Sequence, residues 1–333
     1  MHLLVTGGCG FLGSHFVRDW LRGHPEDRIT NVDCLTYAGS LDNLEEAKSH
    51  PRHRHVPVDI ADREGMRAIW SERYDLVVHF AAETHVDRSL EDAARFVRTN
   101  VLGTQTLLDG ARQQDDVSVI IVSSDEVYGP APKGATFGTG DPLRPTSPYA
   151  ASKAAADWLA LASRHTDNLD VTIVRSVNVY GPRQYPEKFI PLFVTNALAG
   201  EPLPLYGHGR HRRVWLHVDD FVAGLRAIAT DRERRRERPV WHLGSREERE
   251  NRAIAQRICE LCGADPSLIA TVADRPGHDA RYALDFSQTE RVFGWTPRIG
   301  FDEGLRDTVD WIRDHLDWCR ARRSWTPGFL RSR

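Results

Sequence analysis

Residues Val117 to Gly129 read VSVIIVSSDEVYG. Val117 to Val122 are almost wholly apolar and mostly β-branched, the composition of a strand buried on both faces, as in a parallel sheet. The run then turns polar at once, into Ser123, Ser124, Asp125 and Glu126. In an open α/β sheet, ligands bind just outside the carboxyl ends of the strands. Adjacent carboxylates at such an end can act as acid and base if their surroundings split their pKa values. Taken alone, the stretch also reads as a solvated strand-to-loop turn, so the rest of the chain must decide.

The N-terminal segment supplies the context. His2 to Thr6 is a short apolar strand, followed by Gly7-Gly8-Cys9-Gly10-Phe11-Leu12-Gly13 and a helical pattern from Ser14 to Arg22. Gly7, Gly10 and Gly13 form a GxxGxxG loop between strand and helix, where the backbone can approach a pyrophosphate resting on the helix N-terminus. A second strand, Arg28 to Val32, ends in Asp33, about 20 residues past Gly13, where an acid that binds ribose hydroxyls is expected. An acid there favours NAD over NADP, because it would repel a 2′-phosphate. A third strand, His55 to Val58, leads to Asp59-Ile60. A fourth, Asp75 to Phe80, leads to Ala81-Ala82, small residues that let a flat ligand lie close to the backbone. An amphipathic helix from Ala93 to about Gln113 returns to the opening strand. This alternation implies an α/β doubly wound parallel sheet.

Tyr149 and Lys153 stand four apart at the start of a further helix, hence on one face. An ammonium beside a phenol is expected to lower the phenol's pKa and make it a usable base. The chain uses 44 basic residues, of which only Lys48, Lys133, Lys153 and Lys188 are lysine. A lysine retained in so arginine-rich a chain points to a need for a compact or deprotonatable ammonium. Lys48 and Lys133 read as surface loop positions.

These motifs together resemble the extended short-chain dehydrogenase/reductase family, and within it the branch of nucleotide-sugar 4,6-dehydratases that act on dTDP-glucose. The matching stretches are TGGCGFLG at the glycine loop, HFAAETHVDRS (His79–Ser89), SSDEVYG (Ser123–Gly129), SPYAASKAAAD (Ser147–Asp157), NVYGPRQYPEKFIP (Asn178–Pro191) and DRPGHDARYALD (Asp274–Asp285). Sibling epimerases lack the acid pair of DEVYG. Ser124 stands where the family usually has threonine, and Val214 and His217 replace its usual acid and aromatic.

The resemblance implies a Rossmann-like NAD domain over 1–180, rejoined by about 214–245, and a smaller nucleotide-sugar lobe over most of 181–333. It implies catalysis by Ser124, Asp125, Glu126, Tyr149 and Lys153. NAD would meet Gly7, Gly10, Phe11, Leu12, Gly13, Asp33, Cys34, Leu35, Thr36, Asp59, Ile60, Phe80, Ala81, Ala82, Thr99, Tyr149 and Lys153. The sugar nucleotide would meet Thr84, Ser124, Asn178, Lys188, Phe189, Pro204, Tyr206, Arg213, Asn251, Arg275 and His278. A diphosphate wants cationic and amide donors, which Lys188, Arg213 and Asn178 can provide. The family also pairs the helices equivalent to Ala93–Gln113 and Tyr149–His165 into a four-helix bundle, so a homodimer is expected. These helices keep apolar residues, including Trp158 and Leu159, beyond one face.

Several classes are set aside. A net charge of −3 gives no reason to expect nucleic acid or an anionic membrane. No apolar run approaches the roughly 20 residues of a membrane span. A strand beginning right after Met1 leaves no room for a signal peptide, so a cytoplasmic protein is expected. Cys259 and Cys262 form a lone CxxC without a second ligand pair, and His50, His53 and His55 read as a polar loop. No metal site is therefore expected. Asp231 to Arg238 reads as a solvated turn without function. The terminal helix spans Asp302 to Arg320, and the tail after Arg322 is expected to be loosely ordered. Two rival functions stay open: an epimerase, decarboxylase or other nucleotide-sugar enzyme on the same fold, and a silent NAD-binding regulator. One geometric difficulty also stays. Neighbouring strand residues point to opposite faces, so the backbone must leave strand geometry near Ser124 if both acids are to reach one sugar.

Overall fold

A computed structural model describes residues 1–322; the tail expected to be loosely ordered lies outside the described residues. Seven parallel strands form the main sheet: β1 (His2–Thr6), β2 (Arg28–Val32), β3 (His53–Val56), β4 (Leu76–His79), β5 (Ser118–Ser124), β6 (Asp170–Ser176) and, later in the chain, β10 (Val240–Leu243). Their order is β10-β6-β5-β4-β1-β2-β3. The chain runs outward from β1 through β3, then returns to the other side of β1 at β4. The order reverses there, which opens a crevice at the carboxyl ends of β1 and β4.

Burial on both faces follows from the apolar runs. Leu3, Val5, Val78 and Ile120 belong to the apolar layer on one side of the sheet. Their immediate neighbours Leu4, Val77, Val119 and Ile121 belong to the layer on the other. The period of two therefore feeds two cores at once. A third apolar cluster, including Phe193, Leu205, Trp215, Ile258 and Leu305, fills a smaller lobe. That lobe carries β7 (Asn178–Tyr180), β8 (Leu203–Tyr206), β9 (Arg212–His217), β11 (Glu248–Glu250) and β12 (Ile269–Val272), arranged as β11-β9-β7 and β12-β8.

Several boundaries differ from expectation, each for a local reason. β3 ends at Val56, two residues before the expected end, because the backbone bond from Asp33 N to Val56 O closes its pairing with β2. Asp59 and Ile60 consequently sit in the following loop. The strand expected over Val171 to Tyr180 is two strands. β6 stays in the main sheet, Val177 donates to Leu243 O, and β7 then pairs with β9 in the lobe. The helix expected over Ala93 to Gln113 runs through a π-helical stretch at Val97–Gly103. Such stretches are common at functional sites, and here it carries Thr99 and Asn100. The terminal helix breaks at His315, between Phe301–Asp314 and Leu316–Arg322. The run expected to be a solvated turn contains a short helix, Arg232–Arg236. Its Arg235 is buried and donates to Ala229 O, while Arg232 and Arg236 meet Asp170. This corrects the reading of that run as wholly solvated. Lys48 likewise lies in the helical turn Leu41–Ser49 rather than in a loop.

Candidate functional site

Two adjoining cavities lie against the carboxyl ends of the strands. The larger holds about 470 Å³ and is lined from Gly7 after β1, Asp33 after β2, Phe80 after β4, Ser124 at the end of β5 and Ser176 at the end of β6. The smaller, about 220 Å³, shares Glu126, Asn178, Lys188 and Phe189 with it. Every expected cofactor residue except Leu35 lines the larger cavity, as do Ser124, Asp125 and Glu126. Thr84, Asn178, Lys188, Phe189, Pro204, Tyr206, Arg213, Asn251, Arg275 and His278 line the smaller one. Leu35 is exposed and holds a φ of 52° beside the cavity rather than in it.

The glycine loop fits a dinucleotide. Gly7 has a φ of 72°, and a Cβ on it would lie 2.5 Å from the Ala81 amide nitrogen. A Cβ on Gly13 would lie 2.3 Å from the Gly7 carbonyl oxygen. The helix Phe11–Gly23 starts at Gly10 with no side-chain cap, which leaves its first N–H groups available to a pyrophosphate. Asp33 accepts from the amides of Cys9 at 2.9 Å and Leu35 at 2.8 Å, one on each oxygen. Those bonds hold the carboxylate in place, and its remaining lone pairs can accept ribose hydroxyls. Burial raises the Asp33 carboxyl's pKa, against the pull of the two amides.

The geometric difficulty at the acid pair resolves in one turn. β5 ends at Ser124, and Asp125–Tyr128 form a 3₁₀ turn in which Ser124 Oγ accepts from the Glu126 amide at 3.2 Å. Asp125 is fully buried, with Oδ1 accepting from Ser124 at 3.3 Å and Oδ2 unpartnered. Burial, then the neighbouring Glu126, pushes the Asp125 carboxyl up to about 8. Glu126 is also raised by burial, but Arg275, Arg213 and Lys188 pull the other way. Two adjacent carboxyls thus occupy different electrostatic surroundings, one holding its proton near neutrality and one ringed by cations.

Tyr149 and Lys153 come from the first turns of the helix Pro148–Thr166, which Ser147 caps. Lys153 is not among the groups that shift the Tyr149 phenol most strongly. Burial, Glu126 and Asp125 raise the phenol well above its ordinary value, with only an interaction from Ser124 opposing them. The Lys153 ammonium donates instead to Val122 O at 2.8 Å.

The smaller cavity gathers side chains from distant segments. Lys188 Nζ donates to Thr84 O at 2.9 Å, and Tyr206 Oη donates to Asp87 at 3.0 Å. Arg213 is buried, donates to Asp279 O at 2.9 Å and lies 4.4 Å from the Tyr282 ring centroid. Asn251 opens the helix Asn251–Cys262 with a buried, unpartnered Oδ1. His278 shares Asp274 with His211, at 2.7 and 3.3 Å, and the two rings stack at 3.5 Å. Val214 is buried in the main core, and His217 lies buried between Asp219 and Asp307, outside both cavities.

Sequence reasoning missed Glu83, Arg95, Ser176 and Glu187 on the larger cavity, and Asp87 and Trp215 on the smaller. Ser176 could have been found from the strand-end rule alone. Asp87 lay inside a quoted motif. Glu187 likewise lay inside one, directly before Lys188.

A model of the family described as GDP-mannose 4,6 dehydratase matches residues 4–308. A dTDP-glucose 4,6-dehydratase of Streptomyces griseus is 48% identical over 312 residues, covering 93% of each chain. A dTDP-glucose 4,6-dehydratase of Streptomyces venezuelae, DesIV, solved with NAD and dTDP bound, superposes with a TM-score of 0.92 at 46% identity, covering 97% of this chain and 100% of its own. A UDP-glucose 4-epimerase of Thermus thermophilus, solved with NAD, gives a TM-score of 0.84 at 31% identity, covering 94% of this chain and 99% of its own. The epimerase shares the fold but falls well short of the dehydratases in sequence. On these grounds the chain belongs to the nucleotide-sugar 4,6-dehydratase family, in the branch of the dTDP-glucose 4,6-dehydratases.

Proposed function

We propose that this protein is an NAD-dependent hydro-lyase that converts dTDP-glucose to dTDP-4-keto-6-deoxyglucose. The observation that carries the reading is the acid pair: Asp125 held up to about 8 next to a Glu126 ringed by Lys188, Arg213 and Arg275, at the junction of the two cavities. Elimination of water needs a proton donor and a base in the same step, and neighbouring carboxyls in unlike surroundings provide both.

In this reading Tyr149, supported by Ser124 and Lys153, takes the proton of the C4 hydroxyl. Bound NAD supplies the two-electron chemistry, oxidising C4 and later reducing C6. The C4 ketone acidifies C5, because the carbanion left there is stabilised as an enolate. Glu126 removes the C5 proton, and Asp125 protonates the departing C6 hydroxyl. The proton on Glu126 can then return to C5. Net redox is zero. An epimerase needs only the Tyr149–Lys153 oxidation and has no use for a buried, protonated acid beside it.

The division of labour follows the chain. Residues 1–180 with 214–245 would hold NAD, and most of 181–333 the nucleotide sugar. Trp158, Val97, Leu102 and Leu90 leave 60, 53, 39 and 39% of their surface exposed on the helices around Pro148–Thr166 and Val97–Gly103. Leu159, in contrast, packs against the core beneath. An apolar surface of this kind on adjacent helices supports a homodimer through a four-helix bundle, and sedimentation showing only monomer at micromolar concentration would exclude it. No described helix is long and apolar enough to cross a membrane, and a soluble sugar nucleotide suits a cytoplasmic enzyme. The test of function is to incubate the purified protein with dTDP-, UDP-, CDP- and GDP-hexoses. The 4-keto-6-deoxy product should form fastest from dTDP-glucose; product from none of them would refute the reading.

A further inference from the structure

The loop after β2 forms one rim of the larger cavity through Asp33, Thr36 and Gly39, while Glu83, Thr84 and Glu187 form a rim from other segments. The two rims meet around Tyr37, whose neighbours Thr36 and Ala38 line the cavity. Tyr37 Oη donates to Glu187 Oε1 at 2.8 Å, and Arg88 Nε donates to Glu187 Oε2 at 2.9 Å. The Arg88 guanidinium lies 3.9 Å from the Tyr37 ring centroid, and Tyr185 meets the same ring edge-on at 5.3 Å. Glu187 is only 4% exposed, with each oxygen satisfied, one by a phenol and one by a cation.

The partners of this cluster are 150 residues apart in the chain, so it is a long-range closure. It is also coupled to both binding surfaces. On one side Tyr37 anchors a loop that carries Asp33 and a left-handed Leu35, a conformation that persists only where its surroundings impose it. On the other, Glu187 directly precedes Lys188, whose ammonium is tied to Thr84.

The proposed reaction imposes a requirement that an ordinary dehydrogenase lacks. The two electrons removed from C4 must return to C6 of the same sugar. A cofactor that left in its reduced form would strand a keto sugar and leave the enzyme unable to finish. We propose that Tyr37, Glu187 and Arg88 form a strap across the cofactor cavity that retains NAD through both transfers. The inference rests on the dehydratase reading for its purpose, but not for its measurement.

The experiment follows the loss of bound NAD from native protein, Tyr37→Phe and Glu187→Gln after dilution into nucleotide-free buffer, with no sugar present. Both substitutions keep the shape of the side chain and remove one charge-assisted bond, so NAD should leave about tenfold faster or more from each. Turnover by either variant should decay over successive cycles and recover when NAD is added to the medium, a rescue that a loss of folding stability would not show. Release at the native rate from either variant overturns the strap. Because release is read without substrate, the two failures separate. Faster release from a protein that does not convert dTDP-glucose contradicts the dehydratase reading alone. Native-rate release from a protein that does convert it contradicts the strap alone.

Discussion

The two cavities are built by opposite strategies. The larger is assembled from consecutive strand ends and one contiguous glycine loop, so each of its walls comes from a short stretch of sequence. The smaller draws on residues near 85, 188, 205, 213, 251 and 278, which the smaller lobe and its own core bring together. One site is written locally and repeated along the sheet. The other exists only after long-range packing. The two meet at Glu126 and Asn178, with Ser124 and Tyr149 close by on the larger cavity, so the division between the cavities should be visible in how variants fail.

The largest effect is expected at the junction. Tyr149→Phe should lower turnover by about 10²–10⁴, the usual worth of a general base, with both NAD and dTDP-glucose still bound. Binding losses of similar size would mean that Tyr149 shapes the cavity rather than moving a proton. Next comes the sugar side. Arg213→Leu should weaken dTDP-glucose binding about 10- to 100-fold, as expected for lost charged hydrogen bonds, while NAD titrates as before. An equal loss of NAD affinity would erase the distinction between the cavities. On the cofactor side, Asp33→Ala should weaken NAD by roughly 1–3 kcal/mol and leave sugar binding unchanged. Native protein that takes NADP as readily as NAD would contradict the role of Asp33.

A last effect is on stability rather than on binding or rate. Burial moves the Asp125 carboxyl from 3.8 to about 8 in the folded protein. A raised carboxyl favours folding below its unfolded value and loses that advantage as pH climbs through its folded value. Asp125→Asn removes this titration. It should melt several degrees above the native protein at pH 9, with the gap closing toward pH 4. A gap that does not depend on pH would show that Asp125 is not held protonated.

How much could be read in advance follows the same division. The β-branched runs at Val119–Val122 and Val77–Val78, the glycine loop and the Tyr149–Lys153 spacing are local signals that placed the sheet, and every residue expected from the resemblance to meet NAD except Leu35 lines the larger cavity. The break between β6 and β7 was invisible because Val171 to Tyr180 carries no Gly or Pro to mark it; only pairing with Leu243 and Trp215 shows where the chain changes sheet. Glu187 and Asp87 were missed because their partners, Tyr37 and Tyr206, are more than a hundred residues away. The surroundings of Tyr149 were misjudged for a related reason. Helical spacing puts Lys153 on its face, but burial and the carboxylates of the turn after β5 dominate the phenol.

The central claim is that Glu126 is the base of an elimination that follows oxidation at C4. Glu126→Gln is nearly isosteric, keeps Tyr149, Lys153 and the glycine loop in place, and removes one of the charges that raise the Tyr149 phenol. Mixed with dTDP-glucose, this variant should oxidise C4 and then stall, so that enzyme-bound NADH accumulates and is seen by its absorbance. Formation of the 4-keto-6-deoxy product at the native rate, with no NADH accumulating, would contradict the account and return the acid pair to a structural role.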